Sequence, residues 1–114
     1  MQGRTFAVVA KRRETRRSVH EYLARLGAVV RPLREVNKVE DAFDGFVMFP
    51  DELSVDEASR TLALLRRHYP DARVVVITNH LDRYPTHDPG VIVLRIPVWG
   101  WMIAEALRSS GDGV

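Results

Sequence analysis

Arg73-Val74-Val75-Val76-Ile77-Thr78 holds five consecutive β-branched residues, the densest such stretch in the chain. Side chains of this kind are stiff at χ1 and pack well on a pleated surface. Apolar residues do not alternate with polar ones here, so both faces must be covered, the pattern of a strand inside a parallel sheet. A parallel strand needs crossover connections, and the flanking sequence supplies one. Upstream, Ser54-Val55-Asp56-Glu57 is a capping box, in which the serine hydroxyl and the Glu57 carboxylate each meet an orphan backbone donor at a helix start. Val55, Ala58, Leu62, Leu65 and Tyr69 then share one face. Arg66 and Arg67 lie near the end where the helix dipole favours cations, and Pro70 stops the helix.

The same pattern recurs outward. Phe46-Val47-Met48-Phe49 is an apolar run ended by Pro50, and Thr5-Phe6-Ala7-Val8-Val9-Ala10 is another. From Arg12 onward, Val19, Tyr22, Leu23 and Leu26 form an apolar helical stripe, and Gly27 provides a left-handed C-cap. Residues 28–33 read as a second strand whose Pro32 lacks a ladder donor and so belongs at a sheet edge or a strand end. Asn37 and Glu40 cap at most a helical stub reaching Ala42. Residues 79–90, with Pro85 and Pro89, read as an extended connection. Residues 91–96 form a fifth strand, Pro97 precedes a last helix over 98–108, and 109–114 form a small polar tail. The expectation is one α/β domain over 1–108, flavodoxin-like, with a five-stranded parallel sheet of order 2-1-3-4-5 and helices on both faces.

Composition agrees. The 114 residues are 46% hydrophobic and 28% charged, as in an ordinary globular domain with one core. With no cysteine there is no disulfide framework, thiolate zinc site or cysteine nucleophile. The longest apolar run near the N-terminus, Phe6 to Ala10, is too short for a signal peptide or a membrane span, so a cytoplasmic protein without membrane insertion is expected. The net charge of +2 is unevenly spread: residues 1–40 carry +6, residues 41–60 carry −5, and the remainder +1.

Three stretches resemble the receiver domain of two-component response regulators. Val9-Ala10-Lys11-Arg12 with the helix from Arg16 to Gly27 is similar to a receiver's first strand, acidic loop and first helix. Asp44-Gly45-Phe46-Val47-Met48-Phe49-Pro50 resembles the third strand leading to the phosphoacceptor. Residues 73–78 and Val93-Leu94-Arg95-Ile96-Pro97-Val98 resemble the fourth and fifth strands. The resemblance implies acids that hold Mg²⁺, an aspartate that accepts phosphoryl, a Ser or Thr that reads it and a lysine that neutralises it. At those positions stand Ala10 and Lys11, Phe49, Thr78 and Ile96. Only Thr78 matches. Phe49 has no nucleophile, and Lys11 puts a cation where a divalent ion would need oxygen ligands. The segments that would carry the family's second and fourth helices, around 37–42 and 79–90, are too short or too rich in proline, so both helices are expected to be reduced. The implied molecule is a degenerate pseudo-receiver without catalysis, metal or cofactor, acting as a phosphorylation-independent protein-interaction module in bacterial signalling.

Other constellations bear on partners. Lys11-Arg12-Arg13 with Arg16 and Arg17 sets five cations at one helix start, where each opposes the dipole by about a few tenths of a kcal/mol. Such a cluster meets an acidic protein, nucleic acid or, within the chain, Asp51, Glu52, Asp56 and Glu57, with a Lys11 salt bridge replacing the lost metal site. A nucleic-acid-binding regulatory adaptor is therefore the alternative function. His80, Asp82, His87 and Asp88 share a loop, but their spacing matches no metal-ligand pattern and reads as a polar connection. On a helical wheel from Val98, Trp99 falls with Met102, Ile103, Ala106 and Leu107 on the sheet-facing half, and Trp101 is left over as an interface anchor, a homodimer being one form of partner. No P-loop, G-x-G-x-x-G, G-x-S-x-G or H-E-x-x-H is present.

Overall fold

Five strands form where the sequence is apolar on both faces: β1 (Thr5–Val9), β2 (Val29–Val30), β3 (Gly45–Met48), β4 (Arg73–Thr78) and β5 (Val91–Arg95). The structure, a computed structural model, describes residues 1–33, 43–84 and 87–108. All pairings are parallel and the order is β2-β1-β3-β4-β5. Among the described residues, α1 (Arg13–Arg25) lies between β1 and β2, α2 (Val55–His68) between β3 and β4, and α3 (Gly100–Arg108) after β5, with 3₁₀ turns at Pro50–Glu52 and Leu81–Arg83. The expected stub near 37–42 and the tail at 109–114 lie outside the described residues. Between β4 and β5 the described chain has only the single 3₁₀ turn, in keeping with the absence of a fourth helix there.

Alternation along the strands builds two apolar layers. Phe46, Met48, Val74 and Val76 point toward Ala58, Leu62, Leu65 and Tyr69 of the α2 segment. Phe6, Val47, Val75 and Ile77 point the other way, toward Val19 and Leu23 of α1 and Ile103, Ala106 and Leu107 of α3. Helices thus cover both faces of the sheet. Gly27, at φ +90°, is the left-handed residue that turns the chain out of α1. Gly100 opens α3 where a Cβ would meet the Tyr22 ring at 2.7 Å, so the absent side chain sets how closely α3 approaches α1.

Several boundaries move, each for a local reason. β2 has only two residues: the Val29 and Arg31 amides donate to the Arg4 and Phe6 carbonyls at 2.7 and 2.9 Å, and Pro32, whose missing N–H falls on the outer, unpaired side, is where an edge strand tolerates it. At α2, the Ser54 hydroxyl accepts from the Glu57 amide at 3.1 Å, but no return bond from the Ser54 amide to the Glu57 carboxylate forms among the described residues. Val55, placed on the apolar stripe by periodicity, is 60% exposed. α3 begins at Gly100, not at Val98. Trp99 therefore precedes the helix, its carbonyl accepting from Met102 at 2.9 Å, and its indole is exposed instead of facing the sheet.

The α2 layer centres on three rings: Phe46 lies 5.2 Å from Phe43 and 5.0 Å from Tyr69, and Phe43 and Tyr69 meet edge-on at 5.6 Å. Arg66, near the end of α2, closes this layer with a bidentate pair to Asp88, Nε to Oδ2 at 2.9 Å and Nη2 to Oδ1 at 3.0 Å, while its Nη1 donates to the Ala72 carbonyl at 2.8 Å. The Gly90 amide also donates to Asp88 Oδ1, at 2.8 Å. These bonds hold the Asp88 carboxyl below its ordinary pKa of 3.8, the Gly90 amide contributing most and Arg66 next.

Phe46→Ala is expected to cost about 3–5 kcal/mol in urea denaturation, whereas Val55→Ala changes stability by less than about 0.5 kcal/mol. For Asp88 the folded pKa is the lower one, so its stabilisation is fully present above about pH 5 and disappears as pH falls through 3.8 and then through the folded value. Denaturation midpoints followed from pH 6 to pH 3 should accordingly fall more steeply for the wild type than for Asp88→Asn.

Candidate functional site

β1, β3 and β4 end side by side, and the loops that follow them meet at the carboxyl edge of the sheet, the usual place for a site in an open α/β fold. Ala10 and Lys11 follow β1, Phe49 follows β3, and Thr78 is the last residue of β4. The Phe49 amide donates to the Val9 carbonyl at 2.9 Å, and the Ile96 amide reaches the Thr78 carbonyl at 3.4 Å, so all five positions inferred from sequence lie along this one edge. Ile96 itself is 37% exposed and precedes a cis peptide bond to Pro97.

Two carboxylates that the sequence offers as partners for the basic cluster, Asp51 and Glu52, organise the site through other contacts. Asp51 and Glu52 are adjacent on the Pro50–Glu52 turn and reach in different directions. Glu52 Oε1 accepts from the backbone amides of Lys11 at 3.0 Å and Arg12 at 2.8 Å, and Oε2 accepts from the Thr15 hydroxyl at 2.7 Å. Asp51 Oδ1 accepts from the Thr78 hydroxyl at 2.6 Å, and Oδ2 accepts from the Asn79 amide at 2.8 Å. The Thr78 oxygen, fully buried, in turn accepts from the His80 amide at 2.9 Å. Tyr84 borders the cluster. Burial first, and the Asp51 charge second, push its phenol up, with Arg83 opposing.

Glu52 resolves the dipole conflict at α1. The helix has no side-chain cap from Arg12, its N-cap residue, and instead receives a carboxylate from another loop at its positive end. Arg16 adds a second fastening, donating from Nη1 to the carbonyls of Ala10 and Lys11, both at 2.8 Å. The expected Lys11 salt bridge is not how the loops join. The lysine takes part through its amide and carbonyl, and no ion pair of its ammonium is found among the described residues.

The remaining expected residues lie apart. Arg12, Arg13 and Arg17 are exposed along α1, with Arg17 paired to Glu21 at 3.2 Å. Trp99 and Trp101 are 68% and 58% exposed. Asp88 is engaged by Arg66, and no group of three His, Asp or Glu side chains suited to a metal ion occurs among the described residues. Of the site's members, Thr15 carried no signal in the sequence, because its role depends on a partner 37 positions away.

Because the bonds to Glu52 come chiefly from backbone amides and Thr15, Glu52→Ala should lower stability by about 1–2 kcal/mol, the cost of stranding charge-assisted partners that water partly reaches. Lys11→Ala keeps its amide and should change the same denaturation midpoint by less than about 0.5 kcal/mol.

No protein-family model matches the chain, and no curated protein matches it significantly in sequence. Solved structures do. A response regulator receiver protein from Sinorhizobium medicae superposes with a TM-score of 0.76 at 14% identity, covering 96% of this chain and 95% of that one. A response regulator from Burkholderia pseudomallei, solved with a phosphorylated aspartic acid and a calcium ion, gives 0.73 at 17% identity over 96% of this chain and 69% of its own. A putative pilus assembly protein from Burkholderia thailandensis gives 0.71 at 16% identity, covering 96% and 98%. With the sheet order and the crossovers in agreement, the chain has the fold of a response regulator receiver domain.

Proposed function

We propose that this domain is a non-catalytic, phosphorylation-independent protein-interaction module in bacterial signalling. The receiver fold supports a signalling role. One observation carries the phosphorylation-independent reading: the carboxylates nearest the usual chemistry are already committed to bonds within the chain. Phe49 offers no oxygen to a phosphoryl group. Asp51, two residues on, accepts a bond at each of its oxygens, and one of these comes from Thr78, the side chain that would otherwise read a phosphoryl. Glu52 is likewise occupied, by the loop that would have to supply acidic ligands to a metal.

The loops are thus held in one arrangement by groups present at all times, and the domain presents a constant surface. Trp99 and Trp101 support a binding role, since exposed indoles are costly in water and are favoured anchors at interfaces. A protein partner is the natural occupant, a second copy of the chain included. No helix among the described residues is long and apolar enough to cross a membrane.

Incubation with acetyl phosphate and Mg²⁺ should leave the intact mass unchanged and the tryptophan fluorescence independent of Mg²⁺. A stoichiometric acyl phosphate on Asp51, or on any other carboxylate, would defeat the proposal.

A further inference from the structure

A second concave surface lies on the far side of α1, away from the carboxylate cluster. Arg13, Arg16, Arg17 and His20 fall at i, i+3, i+4 and i+7, which gives α1 a basic stripe beside its apolar one. The stripe faces the sheet-edge strand β2 across a trough of about 640 Å³, with Arg31 on the opposite wall and Val8, Val30 and Pro32 as apolar surface between. Among the described residues that line it there is one acid, Glu21, which Arg17 already engages. Arg16 fastens the loop before α1. Arg13 and Arg17 stay exposed, Arg17 in a surface pair with Glu21, and neither fastens a loop as Arg16 does.

We infer that this trough binds an acidic, extended segment of a protein partner. The inference rests on the reading of the domain as an interaction module and names the chemistry of one partner. Arginine forks pair bidentately with carboxylates, and apolar side chains alternating with the acids of an extended segment would lie on Val8, Val30 and Pro32. Addition of a strand to the sheet contributes little, because β2 is two residues long and Pro32 removes the next donor. Recognition therefore depends on side chains. Nucleic acid fits less well: no Phe, Tyr or Trp is found among the described residues that line the trough, and the arginines sit in a recess between α1 and the sheet edge, whereas duplex readout needs an element that enters a groove.

The test is fluorescence anisotropy with a short fluorescein-labelled peptide of alternating glutamate and valine, its glutamine counterpart, and labelled single-stranded and duplex DNA. The wild type should bind the glutamate peptide, more weakly as salt rises, and the glutamine peptide at least about tenfold less well, the loss expected when charge-assisted pairs are removed. Arg13→Glu combined with Arg17→Glu should abolish binding. Arg60→Glu, on the outer side of α2 across the sheet, should bind as wild type, which separates the trough from net charge. Thermal melts of each variant establish that it is folded. Equal binding by the double variant, equal binding of the glutamine peptide, or tighter binding to either DNA would overturn the inference. Failure here with no acyl phosphate formed leaves the interaction-module reading standing, whereas acyl phosphate formation defeats that reading alone.

Discussion

The site depends on two neighbouring carboxylates that are pulled in opposite directions. Three parallel strands end side by side, and the exits of β1 and β4 present donors at the carboxyl edge of the sheet. Asp51 takes the donors at the end of β4, and Glu52 takes those that lead into α1. Both acids stand on one short turn that Pro50 starts and the Leu53 amide closes on the Pro50 carbonyl at 3.0 Å. Three loops are thereby fixed with respect to one another by charge-assisted bonds from a single turn, an economical use of a strongly acidic segment.

That arrangement recasts the charge asymmetry of the chain. The basic stretch before and within α1 and the acidic stretch after β3 meet, but their contact runs from backbone to carboxylate and leaves the cations outside it. Glu52 supplies the negative charge that the start of α1 needs. Lys11, Arg12 and Arg13 consequently keep their side chains for solvent or for a partner, and Arg17 pairs with Glu21 on the helix surface. A cluster that looked like a costly choice of helix-start residues becomes a surface whose local cost the neighbouring loop offsets.

The fold was legible because it is written in short-range pattern. Residues 74–78 and 46–48 declare buried strands, Gly27 declares a left-handed turn, and Pro32 declares an edge, all from local sterics. Of the site, only what a known arrangement could index was legible: Phe49 and Thr78 were placed at the carboxyl edge by resemblance, and they lie there. The Glu52–Thr15 and Asp51–Thr78 bonds were hidden, since an acidic residue looks alike in sequence whether it is solvated or capping a distant helix. Trp99 was misplaced for a different reason: periodicity gives an angle only once the first helical residue is known, and two residues at the start of α3 decided whether its indole faced sheet or solvent.

Phe49 also has a packing role at the end of β3. Its ring packs with the α1 and α3 layer, near Val19, Tyr22 and Ile103, and borders the cleft between the two helices that Gly100 helps to shape. An aspartate there would exchange apolar contact for a charge facing that layer, beside a turn whose own two acids are already adjacent. Lys11 would add a cation but no oxygen ligand. Phe49 and the two acids are therefore coupled: the aromatic contributes to packing between helices, the neighbouring acids fasten the loops, and changing one of them alone disturbs what the others hold together.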